Sequence, residues 1–108
     1  MTTQEYEEFV RDSWFGAAKA EDQHLVDLFI CSTGLGGETG EVLEKLKKFV
    51  RDGTTPTGLK EELGDVLYYL TTIGRTFGIS LEDIMQGNKN KLEARITKGT
   101  LRGSGDTR

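Results

Sequence analysis

The chain has 108 residues, a net charge of −4, 35% hydrophobic and 30% charged side chains, a composition that fits one small globular domain and argues against a disordered or membrane-embedded chain. Its basic residues are interleaved with acids apart from Lys45, Lys47, Lys48 and Arg51, so no broad nucleic-acid surface is expected. Cys31 is the sole cysteine, which excludes an internal disulfide and offers no zinc site; it reads as a buried small hydrophobe.

The first predicted helix covers about residues 3–18. Thr2 and Glu5 have capping-box spacing, and Tyr6, Phe9, Val10, Ser13, Trp14 and Ala17 recur at helical intervals. The acidic start MTTQEYEEFVRD has no apolar signal core, so a cytoplasmic location is expected. The longest apolar run, LVDLFIC, is interrupted by Asp27 and is far shorter than the roughly 20 residues of a membrane helix. No membrane partner is expected. His24, just before it, reads as a boundary residue.

The glycines of GLGGETG follow at once, and alone they look like a strand entering a phosphate loop. No Gly-Lys-Ser/Thr follows, the spacing is not GxGxxG, and the rest of the chain supplies no strands for a doubly wound sheet. Leu25, Leu28, Phe29, Leu35, Val42, Leu43, Leu46, Phe49 and Val50 instead keep one helical phase across the glycines. A second helix is therefore predicted to run straight through them.

Gly53 stops that helix, and DGTTPTG, holding the only proline, is a turn. Leu59, Leu63, Val66, Leu67, Leu70, Ile73 and Phe77 mark a third helix ended by Gly78. Ser80 with Asp83 opens a fourth, with Leu81, Ile84, Met85, Leu92 and Ile96 on its apolar side. From Thr97 the periodicity is lost, so the expected organisation is an all-α domain over residues 1–96 and a flexible tail over 97–108. An antiparallel central helix pair is expected around DGTTPTG. So small a core favours a partner subunit.

Chemistry enters with twin segments. LGGETGEVLEKL (residues 35–46) and LKEELGDVLYYL (residues 59–70) are identical at six of twelve positions. Each carries carboxylates three residues apart, Glu38 with Glu41 and Glu62 with Asp65, on the flank of its apolar stripe rather than opposite it. An antiparallel hairpin would bring the four together, and crowded carboxylates call for a cation. Mg²⁺ fits, because it takes hard oxygen ligands and bridges carboxylates to phosphates. A single such pair is ordinary on a charged helix, with Glu41 bonding Lys45; two phase-matched pairs on twin segments favour the metal.

Gly40 and Gly64, matched in the twins, suggest close approach of another helix, from this chain or a second subunit. On the fourth helix Asn88, Lys91 and Arg95 lie on or near the apolar stripe, placed to hold phosphate oxygens, although snorkelling or pairing with Glu93 is equally open for the two cations. Trp14 reads first as core, and Tyr68 and Tyr69 as packing or interface groups.

GETGE (Gly37–Glu41), ELGD (Glu62–Asp65) and NKNKLEAR (Asn88–Arg95) together resemble the MazG-like branch of the all-α nucleoside triphosphate pyrophosphohydrolases, over about residues 25–96. Two departures stand out: Gly37 replaces the first Glu of the EExxE pattern, and ITKGT replaces the aromatic and proline that usually follow the last Arg. The resemblance implies an oligomeric four-helix MazG-like bundle and Mg²⁺-dependent hydrolysis of a nucleoside triphosphate to the monophosphate and pyrophosphate, by attack of a metal-activated water on the α-phosphorus. It implies two or more Mg²⁺ ions, with Mn²⁺ as a substitute, on Glu38, Glu41, Glu62 and Asp65, and Glu38 or Glu41 as the base.

By the same resemblance Lys45, Asn88, Lys91 and Arg95 would hold phosphate, and Trp14, Phe29, Gly34 and Gly36 would wall the base. A glycine-lined wall leaves room for a large ring, so purine deoxynucleotides, dGTP first, are the expected substrates. A homodimer or dimer of dimers is implied. Two other readings remain open: a phosphoribosyl-ATP pyrophosphohydrolase, and a non-catalytic helical assembly module whose carboxylates only tune solubility or pairing.

Overall fold

The computed structural model describes residues 1–14, 23–100 and 102, with backbone alone for Gln23 and His24. The chain is all-α: α1 (Thr3–Ser13), α2 (Gln23–Asp52), α3 (Leu59–Thr76) and α4 (Leu81–Lys98). The first helix, expected over about residues 3–18, ends at Ser13, with Trp14 already extended (φ −77°, ψ 123°); residues 15–18 and the side chain of His24 lie outside the described residues.

The helix starts follow their capping residues. Thr2 Oγ1 accepts from Glu5 N–H at 3.1 Å, and Ser80 Oγ accepts from Asp83 N–H at 3.0 Å, each satisfying a donor the first turn leaves open. α2 runs unbroken through GLGGETG as a 30-residue helix, about 45 Å long. Its apolar phase outweighs the glycines, because most of a helix's stability in a protein comes from the face it packs.

α2 and α3 form the antiparallel central pair, with Gly53 (φ +69°) and Gly58 (φ +77°) taking the left-handed conformations that turn the chain. Gly34 meets Tyr69 and Lys45 meets Gly58, the same separation on each helix, which sets the register. The last turns of α2 overrun the start of α3 and leave Leu46, Phe49 and Val50 exposed by 39, 48 and 82%.

α1 packs on α3 and α4. Its Phe9 and Trp14 rings stack at tilted and edge-on angles against Tyr68 and Tyr69, with centroids 6.3–6.4 Å apart. Ser13 Oγ lies 2.9 Å from Tyr68 Oη. The Glu7 carboxylate accepts from Leu81 N–H and so ties α1 to the first turn of α4. Val10 is fully buried here, Cys31 of α2 is fully buried as well, and burial pushes the Cys31 thiol upward.

The expected close approach at Gly40 and Gly64 is not made within this chain: nothing lies within 4 Å of a Cβ built at either position. Gly74 is the tight one. Ile79 N–H donates to Gly74 C=O at 2.8 Å and Gly78 N–H to Arg75 C=O at 3.1 Å, a helix-ending pattern that folds the chain back over α3. A Cβ on Gly74 would lie 2.8 Å from the Ile79 carbonyl oxygen, which is backbone and has little room to yield. Gly74→Ala is expected to destabilise the fold by about 1–3 kcal/mol. Gly87→Ala, on open helix surface, should stabilise it by up to about 1 kcal/mol. Thermal unfolding of the two variants measures both; a Gly74→Ala midpoint at or above that of the parent would contradict the packing at this corner.

Candidate active site: carboxylates between α2 and α3

Three of the four predicted carboxylates converge. Glu38 of α2 and Glu62 and Asp65 of α3 each offer an oxygen within 4.8 Å of the others. Helical spacing places Glu62 and Asp65 on one flank of α3, and the interhelical register sets Glu38 against them. Glu41, one turn further along α2, is exposed and stands outside this group.

Partial burial, then the negative charges of Asp65, Glu62 and Glu41, hold the Glu38 carboxyl above the ordinary carboxylate range. No ion pair among the described residues engages any of the four. Lys45 does not bond Glu41; it is Glu44 that pairs with Lys47 at 2.9 Å and Lys48 at 3.7 Å, and the hydrogen bond from Lys47 leads the fall of its pKa. Hard oxygen donors gathered with their charge uncompensated suit a divalent cation such as Mg²⁺. α1 adds a residue that sequence reasoning passed over: the Tyr6 phenol is pushed up by partial burial, then by Tyr68 and by the charge of Asp65, so Tyr6 faces the same region.

The predicted phosphate residues are more scattered. Lys45 lies beside Gly58 at the start of α3, on a cavity of about 140 Å³ shared with Lys48, Thr54, Thr55, Pro56 and Thr57. Asn88 and Lys91, expected to point inward, are exposed. Arg95 is buried, at 5% exposure, and already engaged. The reason lies in the packing: α4 makes its main contact with α1, which leaves the side carrying Asn88 and Lys91 to solvent.

Residues 31–99 match the family described as MazG nucleotide pyrophosphohydrolase domain. The chain belongs to that family. It is also similar to the Gene 37 protein of Mycobacterium phage L5, 38% identical over 81 residues that cover 69% of this chain and 71% of that protein. No solved structure matches it. Membership supports a nucleotide pyrophosphohydrolase, and the oxygen cluster suits the metal dependence general in this family. No helix among the described residues is long and apolar enough to cross a membrane.

The residues expected to wall the base do not gather around one cavity. A Cβ on Gly34 would fall 2.5 Å from Tyr69 Cε1, so the space the glycine leaves is filled by the tyrosine ring. Gly36 has nothing within 4 Å of a Cβ built on it, and Phe29 is 69% exposed. Of the four expected wall residues, Trp14 alone lines a described cavity, about 150 Å³ in size, with Asp27, Thr72, Arg75 and Thr76. Its Nε1 is buried without a hydrogen-bond partner among the described residues. The signal available in the sequence was Asp27 itself, a charge inside the apolar run LVDLFIC.

Proposed function

We propose that this MazG domain hydrolyses nucleoside triphosphates between the α- and β-phosphates. A water oxygen joins the α-phosphorus, the bond to the bridging oxygen breaks, and the products are the nucleoside monophosphate and pyrophosphate. The observation carrying this reading is the convergence of Glu38, Glu62 and Asp65 oxygens within 4.8 Å, with no ion pair to any of them among the described residues. Those three residues would hold Mg²⁺, or Mn²⁺ in its place, and Glu41, whose charge also bears on Glu38, would extend the set to a second ion.

When bound, the metal supplies charge neutralisation at the phosphates and a more acidic water. The chain's own part is orientation and proton transfer. Glu41, one turn from Glu38 and exposed, would take the proton of the attacking water, with Glu38 as the other candidate. Lys45, at the end of the α2–α3 hairpin, offers a point charge for the departing pyrophosphate. Lys91, Asn88 and Arg95 join it only if substrate or a second subunit draws α4 toward the cluster.

A second copy of the chain is part of this reading. Leu25, Phe29, Leu43 and Val50 are exposed by 60, 69, 61 and 82%, and their spacing, with Gly36 between them, places them on one side of α2. Leu63 and Leu67 of α3 are exposed by 51 and 40%. An apolar stripe of this length marks an interaction surface, and the open backbone at Gly36 and Gly40 permits close helix approach.

The test is incubation with ribo- and deoxynucleoside triphosphates and phosphoribosyl-ATP, with Mg²⁺ or with chelator. Monophosphate and pyrophosphate are expected in equal amounts, and only with metal. Release of orthophosphate and a diphosphate would refute attack at the α-phosphorus.

A further inference from the structure

We propose that the cavity between Trp14, Asp27, Thr72, Arg75 and Thr76 is the base-recognition site and that it reads the pairing edge of guanine. The inference rests on the nucleotide reading above and adds the base to it. The cavity opens along the α2–α3 seam that holds the carboxylates. Asp65 and Thr72 are two turns apart on α3, about 10 Å, which is the reach from an α-phosphorus across a sugar to a purine edge. Tyr69 stands between them, set into the space at Gly34 and edge-on to Trp14 at 6.3 Å. The cavity volume of about 150 Å³ suits one purine ring system.

The wall chemistry selects among bases. The Asp27 carboxylate only accepts hydrogen bonds, and with about four lone-pair sites it can take a ligand beside the partner it already has. Thr72, 3% exposed, donates its hydroxyl proton to Tyr68 C=O at 3.1 Å, and Thr76 donates to Thr72 C=O at 3.0 Å, so both hydroxyls turn acceptors to any further group. Arg75 supplies the donors of the wall: it is half-buried with no ion-pair partner among the described residues. Trp14, which also lines the cavity, has its Nε1 buried with no partner among the described residues, a state that calls for an explanation.

A carboxylate beside donors complements an edge bearing two adjacent donors and one acceptor. Guanine has that edge in its N1–H, its 2-amino group and O6. Adenine and cytosine place one donor group beside acceptors, and thymine places one donor between acceptors. A site built to bond such groups rejects analogues that lack them.

Trp14 is the only tryptophan, so its fluorescence reports on this wall directly. The intact protein is titrated, with Mg²⁺, against α,β-imido analogues of dGTP, dITP and dATP, which cannot be cleaved at that position. Saturable quenching by the guanine probe is expected, with the inosine probe, which lacks the 2-amino group, bound about tenfold or more weakly, as one lost hydrogen bond to a charged group implies. Asp27→Asn should close the gap between guanine and inosine probes. Arg75→Gln, should Asp27→Asn misfold, should weaken binding of both probes that carry O6 relative to adenine.

Equal affinity for guanine and inosine probes in the parent protein overturns the proposal, as does an Asp27→Asn loss that is the same for every base. Because no cleavage is read, the two ideas fail separately. Guanine-selective quenching without hydrolysis of any nucleotide would keep the base site and remove the reaction; hydrolysis with unselective binding would do the reverse.

Discussion

Glu38→Gln and Asp65→Asn are each expected to lower the proposed Mg²⁺-dependent pyrophosphate release by about a thousandfold or more. A metal's stabilisation of the transition state amounts to several kcal/mol, and each 1.36 kcal/mol is about a factor of ten in rate. The same substitution at Glu38 has an opposite effect on the metal-free fold. The Glu38 pKa in the folded state is raised, by partial burial first and then by Asp65, Glu62 and Glu41. The folded chain therefore holds this proton more tightly than the unfolded chain. Its stabilising contribution is complete below the ordinary carboxylate pKa and is lost as pH rises through the raised value.

At neutral pH the crowded carboxylates thus oppose folding, and Glu38→Gln should melt higher than the parent in chelator, a difference that vanishes in acid. Mg²⁺ should raise the parent's midpoint at neutral pH and leave that of the variant nearly unmoved. Unchanged turnover in both variants would remove the site; a lower midpoint for metal-free Glu38→Gln at neutral pH would mean that the carboxylate supports the fold.

For the proposed pairing of two copies through α2, Leu43→Glu combined with Val50→Glu is expected to leave a 12.0 kDa monomer in light scattering. Both side chains are exposed on one side of α2 in the single chain, by 61 and 82%, so the substitutions remove little packing within it. Across a twofold interface they would set like charges close together, at a cost of several kcal/mol, enough to shift dissociation by three or more orders of magnitude. A paired substitution on the neighbouring charged surface, Lys47→Glu with Lys48→Glu, should leave the mass unchanged. A double-glutamate variant with the parent's mass would place the interface elsewhere.

Much of the fold could be read from local signals. Thr2 with Glu5 and Ser80 with Asp83 marked two helix starts that the backbone donors confirm. The single apolar phase from Leu25 to Val50 outweighed the glycines and predicted the unbroken α2. Local signals failed where two helices had to be placed relative to each other. Helical angles put Glu38 and Glu41 both on the flank of α2, and the register, Gly34 against Tyr69 and Lys45 against Gly58, sets them across from Asp65 and Glu62; only the side-chain positions show that Glu38 joins Glu62 and Asp65 while Glu41 does not. The apolar stripe of α4 likewise did not name its partner; α1 takes that place, and Asn88 and Lys91 are left outside. Gly34 read as a pocket wall because the residue filling its space, Tyr69, lies far away along the chain.

By itself, then, the sequence determined the four helices, the DGTTPTG turn and the carboxylate spacing that points to a hard divalent cation, because capping, helical period and side-chain chemistry act over a few residues. Only the tertiary structure decided that Glu38, Glu62 and Asp65 meet while Glu41 stands apart, that Tyr69 fills the space at Gly34, and that Trp14, Asp27 and Arg75 share one cavity. Those facts depend on how helices dock, and docking is settled by contacts between residues remote in sequence, whose positions no local pattern encodes.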